Sequence, residues 1–302
     1  MANSVTSINY VDQFTTILDK KYATEMKSYA LMQSNPGVTW VNSNTIKIPK
    51  LTVGGFKPHT RGNAFNLGAV SNEFEVKTLS FDRDIEIVID QMDVDETNLI
   101  MSIANIQNTL EETQAIPEQD SYRFSKIYEY VTSATGGNKS APVVTKTASD
   151  VLVWFDNQMA KMDDASVPAE GRILYCTPEY KKLINRCLTR QLNAKDKAVE
   201  TAIDRLGDVE IVVVPSARMK TEYVFTNGCV PATKAGQIGM ILIHPSAVVC
   251  REKYSYIKVF TPGSDSRTAD SYILQERRYG DIFCLDNKYD GIEVGLDTAP
   301  TP

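Results

Sequence analysis

Along the chain the spacing of apolar residues changes several times, and each change marks a predicted element. The first 35 residues are polar with scattered apolar positions, Tyr10, Phe14, Ile17, Leu18, Tyr22, Met26, Tyr29 and Leu31. That spacing predicts a helical arm with too few apolar positions to hold a core of its own, so it is expected to lie on something else. Asn35-Pro36-Gly37 breaks the helix, and Thr45-Ile46-Lys47-Ile48-Pro49-Lys50-Leu51 alternates as a strand. From Thr52 to Asn72, four glycines, a proline and the basic groups Lys57, His59 and Arg61 stand among few core anchors, which reads as a long exposed loop. Glu73 to Asp90 alternates again, through Phe74 and Val76 and then Leu79, Phe81, Ile85, Ile87 and Ile89. The two strands are therefore expected to pair across the loop as a long hairpin. The apolar phase slips by one residue between Val76 and Leu79, which predicts a bulge or a point where the hairpin leaves its sheet. A loop of about 20 residues without structure of its own is normally functional.

Asp93-Val94-Asp95-Glu96-Thr97 reads as an acidic helix cap, after which Leu99, Ile103, Ile106 and Leu110 fall on one helical face. Pro117 interrupts that pattern, but Phe124, Ile127, Tyr128 and Val131 continue a helical stripe up to Gly136-Gly137. The reading is one long, kinked helix or two helices end to end, on the order of 50 Å at about 1.5 Å per residue. Beyond it the pattern becomes α/β: helix 147–163, strand Arg172 to Cys176, helix Pro178 to Leu188, strand Val209 to Val214, a short hairpin around Tyr223 to Phe225, and strand Met240 to Ile243. From Tyr254 onward, Tyr256 to Phe260, Tyr272 to Arg278 and Gly280 to Leu285 alternate, followed by Gly291-Ile292-Glu293-Val294. These segments are expected to form an antiparallel sheet packed under the long helix.

Composition narrows the function classes. With 42% hydrophobic and 23% charged residues over 302 positions, a core of ordinary size is expected. The formal net charge of -6 opposes gathering polyanions by counterion release, so specific nucleic-acid recognition is not expected. Cys176, Cys187, Cys229, Cys250 and Cys284 stand singly and read as reduced thiols. No basic-then-apolar leader and no run of 18 apolar residues is seen, so neither a signal peptide nor a membrane span is expected.

Candidate chemistry is thin. His59 and His244 are the only histidines, one in the loop and one before a proline at a strand end. A Cys176–His244 pair is conceivable because both lie at strand ends, but a buried thiol more often packs as a small hydrophobe. Asp93, Asp95 and Glu96 lack the glycine and distal glutamate of a calcium loop, and capping accounts for them. Gly54-Gly55 and Gly136-Gly137 lack the spacing of phosphate cradles. Lys181, Lys182, Arg186 and Arg190 read as a solvated helix face. No cofactor, no metal and no catalytic constellation is expected, which leaves a shape: an arm, a long hairpin and an extended helix whose surfaces make sense when neighbours cover them.

That order of elements resembles the major capsid proteins of tailed bacteriophages, with the HK97-like fold. Local stretches carry the resemblance: Met92-Asp93-Val94-Asp95-Glu96-Thr97, Pro117-Glu118-Gln119-Asp120-Ser121-Tyr122-Arg123, Leu174-Tyr175-Cys176-Thr177-Pro178-Glu179-Tyr180, and the run from Gln275 to Ile292. It implies an α+β fold of an N-terminal arm at 1–43, an extended loop at 44–90, a peripheral domain at 91–144 and 251–302 with a spine helix at 97–135, and an α/β axial domain at 145–250. It further implies hexamers and pentamers of an icosahedral shell in a virion, assembled in a bacterial host cytoplasm around double-stranded DNA held by non-specific contact. A portal protein, a separate scaffolding protein and a decoration protein are the implied partners. Intersubunit contacts are expected from Lys50, Phe56, Lys57, His59, Arg61 and Phe65 in the loop and from Tyr10, Phe14 and Tyr22 in the arm. A few members join a loop lysine to a neighbour's asparagine, and Lys57 and Asn287 occupy comparable regions. The alternatives are an encapsulin-type compartment, a phage tail-tube component and, from another class, an intracellular α/β enzyme.

Overall fold

A computed structural model describes residues 25–33, 45–59, 66–96, 102–134, 136–187, 203–263 and 270–301. The centre of the molecule is a five-stranded sheet in the order β12 (Ile292–Thr298), β9 (Gln237–Ile243), β4 (Ile173–Cys176), β6 (Val209–Val213), β5 (Arg205–Leu206). Only β4 and β6 run parallel. β9 is buried at every position, as expected for a strand covered on both faces. Because side chains alternate across a strand, Ile173, Tyr175, Ile241 and Ile243 point to one face and Leu174, Cys176, Met240 and Leu242 to the other. The first set packs with Phe124, Ile127 and Val131. The second packs with Val151, Trp154 and Phe155 of α5 (Ala148–Asp164) and with Tyr180, Leu183 and Ile184 of α6 (Pro178–Arg186). The result is a helix–sheet–helix sandwich.

Gly239 on β9 is what lets Tyr180 lie across that sheet, since a Cβ there would stand 2.6 Å from the ring. The Tyr180 hydroxyl then donates to the Val144 carbonyl at 2.9 Å. Gly239→Ala is expected to displace the ring and cost about 1–3 kcal/mol, the usual penalty of overpacking, read as a lower urea midpoint at unchanged slope.

The long helix is continuous from Ile103 to Thr132, made of α3 (Ile103–Leu110), a π-helical turn (Glu111–Ala115) and α4 (Ile116–Thr132). Pro117 brings no amide donor and its ring crowds the carbonyl one turn back. The wider π turn just before it relieves that conflict, and the Ile116 amide reaches the Glu111 carbonyl. Two expectations are corrected here. The acidic run does not cap this helix: Gln91–Glu96 forms a short helix of its own, α2, and the cap is Ser102, whose hydroxyl accepts from the Asn105 amide at 3.4 Å. Leu99 and Thr97 lie outside the described residues. Ile103 and Ile106 are half-buried, so the buried stripe begins on α4. Ile127→Asp is therefore expected to abolish folding through a buried, unpaired charge, whereas Ile103→Asp leaves a folded chain, as circular dichroism would tell.

A three-stranded antiparallel sheet, β10 (Val248–Phe260), β11 (Ser271–Cys284) and β3 (Phe81–Asp90), lies beside the helix. The two segments expected on either side of Gly280 are one strand. Gly280 is needed for close approach, since a Cβ there would meet the Arg251 carbonyl oxygen at 2.8 Å. The expectation that Gly291-Ile292-Glu293-Val294 joins this sheet is also corrected: β12 pairs with β9 and extends the five-stranded sheet. Of the arm, Tyr29–Met32 forms one helical turn, α1, with Leu31 buried in the main core; residues 1–24 lie outside the described residues.

Candidate functional site

The element that departs most from the body is the hairpin of β1 (Thr45–Val53) and β2 (Val70–Thr78), two nine-residue strands paired antiparallel from Thr45↔Thr78 to Val53↔Val70. At about 3.4 Å per residue the ladder is about 30 Å long. The register assigns its faces. Ile46, Ile48 and Lys50 lie with Glu75 and Lys77 on the inward face, and Lys47, Pro49, Leu51 and Val53 with Val70, Asn72, Phe74 and Val76 on the outward one. Ile46 is buried with Leu79 and Phe283, and Ile48 packs beside them. This anchor holds only the base.

Two polar contacts fix the direction in which the hairpin leaves. Lys77 Nζ sits 2.7 Å from Glu75 Oε1 and 3.1 Å from Asp286 Oδ1, bridging β2 to the turn Asp286–Gly291. Burial works to lower the Lys77 pKa, but hydrogen bonds to the two carboxylates outweigh it and raise it. At the joint between β2 and β3, the Ser80 amide and hydroxyl donate to Asp281 Oδ2 at 2.8 and 3.1 Å. The other oxygen of Asp281 accepts from the Tyr122 hydroxyl at 2.7 Å and the Ile282 amide at 2.8 Å. One buried carboxylate thus ties the hairpin's exit to β11 and the long helix. The phase slip between Val76 and Leu79 is this joint, where the chain leaves the two-stranded ladder and enters the sheet with β11.

On the outward face Leu51, Val53, Val70, Phe74 and Val76 are all exposed, and Phe56 and Leu67 near the tip have almost their whole surfaces in water. Seven large apolar side chains stand exposed together on this one element, an apolar patch of a kind monomers rarely leave uncovered. Of the residues expected to make intersubunit contacts, Lys50 is half-buried on the inward face, and Phe56, Lys57 and His59 are exposed beyond β1. Lys57 Nζ donates to the Leu67 carbonyl at 3.3 Å across the loop. Asn287 is exposed on its turn. Arg61, Phe65, Tyr10, Phe14 and Tyr22 lie outside the described residues. Leu51, Val53, Val70, Phe74 and Val76, exposed on the outward face, were not among the residues expected to make contacts. Their signal is apolar residues on both phases of one strand, Ile46 and Ile48 and then Leu51 and Val53.

The enzymatic candidates come apart in space. Cys176 pairs with Met240 at one end of β4 while His244 follows Ile243 at the other, about 13 Å away at strand spacing. Burial pushes the Cys176 thiol up to about 12. His244 caps the turn Pro245–Ala247 and its Nε2 lies 3.1 Å from the Glu170 carbonyl oxygen, a structural role. Lys181 is held by the Ile203 carbonyl and Asp204; Arg190 lies outside the described residues. Among the described residues no group of three His, Cys, Asp or Glu is placed to hold a metal ion, and no helix is long and apolar enough to cross a membrane.

No protein-family model and no curated protein matches the chain. Solved structures do, over nearly its whole length. The mature capsid of bacteriophage PhiM1 aligns over 95% of this chain and 92% of that one at 14% identity and a TM-score of 0.67. A structure from Mycobacterium phage Che8 covers 98% of both chains at 15% identity and a TM-score of 0.60. The capsid of an empty GTA particle covers 96% of both at 12% identity and a TM-score of 0.57. The chain therefore has the α+β, HK97-like capsid fold.

Proposed function

We propose that this chain is the major capsid protein of a tailed phage, a non-enzymatic subunit that assembles into hexamers and pentamers of an icosahedral shell around double-stranded DNA. The observation that carries the reading is the projecting hairpin, anchored at its base by Ile46, Lys77 and Asp281 and bare along Leu51, Val53, Val70, Phe74 and Val76. An apolar face held rigidly away from its own core has a use only against another molecule. The likeness of the fold to phage capsids makes a further copy of this chain the natural occupant.

Within that reading, residues 1–43 are the arm, 44–90 the extended loop, 91–144 and 251–302 the peripheral domain and 145–250 the axial domain, with β12 added to the axial sheet. Scaffolding comes from a separate protein, a portal occupies one vertex, and a decoration protein has the outer surface to bind. The negative charge of the chain suits a wall that touches packaged DNA without holding it.

Negative-stain electron microscopy of the chain expressed in bacteria, alone and with a scaffolding protein, tests the reading. Closed shells or capsomer rings are expected. Shells that carry a cargo protein would point instead to an encapsulin-type compartment, stacked tubes to a tail component, and a dispersed monomer under both conditions would end the shell reading.

A further inference from the structure

The three-stranded sheet has one face against the long helix and one turned away from it. On the helix side Phe81 stacks on Tyr122, Arg83 meets Glu118 and Arg278 is taken by Glu111. Alternation along the strands puts Tyr254 and Tyr256 of β10, Arg277 of β11 and Asp82, Asp84 and Glu86 of β3 on the other side. Tyr254 is 47% exposed, and its ring lies 7° from parallel with that of Tyr256, the centroids 6.3 Å apart. Asp82, Asp84 and Glu86 are exposed along β3, an outer strand of the sheet. One edge of this face is therefore aromatic and the other acidic, about 10 Å apart at two strand spacings.

Three carboxylates in that row have one guanidinium beside them. Arg277 gives both its hydrogen bonds to Asp82, at 2.9 and 2.5 Å. Gln275 donates to Glu86 without bringing charge, and Lys258 is turned over the Phe260 ring. Asp84 has no hydrogen-bond donor among the described residues.

The cationic counterpart is a different part of the same chain. From Ser28 to Asn72 there is no Asp or Glu, yet Lys47, Lys50, Lys57 and Arg61 all fall there, in a chain whose formal net charge is -6. Lys57 stands exposed near the hairpin tip with Phe56 and Leu67. Its ammonium reaches only the Leu67 carbonyl among the described residues, so its charge is not matched within its own subunit. A polyanion would be repelled by the acidic row, and an uncharged partner would desolvate the carboxylates without compensation. A second copy brings both halves of the match, an ammonium for the carboxylates and Phe56 and Leu67 for the tyrosine rings.

We propose that this face of the sheet is the seat for the hairpin tip of a second copy, with Phe56 and Leu67 against Tyr254 and Tyr256 and Lys57 beside Asp84 and Glu86. The proposal rests on the reading of the hairpin as an intersubunit contact and adds where it lands. Tip and seat are different surfaces, so each copy gives one contact and receives another, the head-to-tail arrangement that closes rings.

Charge exchange tests it. Asp84→Lys with Glu86→Lys reverses the seat, and Lys57→Glu with Arg61→Glu reverses the tip. Asp84, Glu86 and Lys57 are exposed, so circular dichroism and the urea midpoint should not change. Shell yield, read by light scattering and electron microscopy, is expected to fall about tenfold or more in each one-sided variant, because like charges then meet at a repeated contact. It should recover in the variant carrying all four changes, where the pairs return with their signs exchanged. If either one-sided variant assembles normally, or the four-residue variant does not recover, the seat is wrong and the shell reading stands. If the wild type forms no shells, sedimentation at low ionic strength reads the same contact. Oligomers of the wild type and of the four-residue variant, but not of the one-sided ones, would keep the seat and end the shell reading. Any other pattern there overturns the proposal.

Discussion

Replacing Thr52–Ser71 by Asn-Gly is expected to give a folded, soluble subunit that forms no shells. The cut preserves the Leu51↔Asn72 pair and closes the ladder with a two-residue turn whose dipeptide suits hairpin geometry. Everything that anchors the hairpin remains: Ile46 and Leu79 in the core with Phe283, the Lys77–Asp286 bridge, and the Ser80–Asp281 contacts. What is removed is exposed wherever it is described, Val53, Phe56, Leu67 and Val70 included, so little buried area is lost and the melting temperature should hold within a few degrees. The loss in assembly should be total, because a shell needs every copy of a repeated contact and a small deficit at each one multiplies. Size-exclusion chromatography with light scattering, beside electron microscopy, reads both halves of the prediction. Normal shells from the shortened chain would show that the outer part of the apolar stripe, Val53 and Val70 with Phe56 and Leu67, is not needed for the contact. A milder variant separates the face from the length: Leu51→Ser with Phe74→Ser alters only outward positions and should also block shells, while Thr52→Ser on the opposite face should not.

How much of this was legible in the sequence follows from which signals are local. The hairpin was, because alternation at period two on both sides of a glycine-rich loop is a short-range pattern, and the slip between Val76 and Leu79 located its exit from the ladder. The stripe Phe124, Ile127, Val131 and the alternation of α5, β4 and α6 were legible for the same reason. Where the reading failed, a residue had two local meanings and a distant partner decided between them. Gly280 reads as a break, yet it is the close approach of β10 that requires it. Asp93 and its neighbours read as caps, yet they form a helix of their own and Ser102 takes the cap. Ile292 and Val294 fit any sheet by pattern, and only their register against Ile243 and Ile241 assigns them to the five-stranded one. The Asp281 anchor was invisible, because Ser80, Tyr122 and Asp281 are far apart along the chain and none is unusual where it stands.

The same limit hid the polar centre on which the arm depends, and Asp120→Ala there is expected to cost the subunit about 3–5 kcal/mol, the usual result of stranding a buried charge. Asp120 lies on α4 with no exposed surface. Its Oδ1 accepts from the Ser28 amide at 3.0 Å and hydroxyl at 2.7 Å, and its Oδ2 from the Lys27 amide and Arg218 Nη1, both at 3.0 Å. Arg123 Nη1 in turn donates to the Ser28 hydroxyl at 2.7 Å. The carboxylate therefore joins the arm, the long helix and the turn Ser216–Arg218, and it pairs with the Arg218 guanidinium, itself only 6% exposed. Among the described residues, removing it leaves Arg218 with a long contact to the Glu25 carbonyl at 3.4 Å and takes the acceptor from the Lys27 and Ser28 amides. Asp120→Asn should fare little better, because an amide nitrogen turned toward Arg218 and the Lys27 amide sets donor against donor. Equilibrium urea unfolding followed by the fluorescence of the buried Trp154 would measure the loss. Limited proteolysis would add what stability alone does not: bonds near Ser28 should become cleavable at denaturant concentrations where the core is still folded. An Asp120→Ala subunit as stable as the wild type, with an equally protected arm, would mean that the burial of Leu31 alone holds the arm in place.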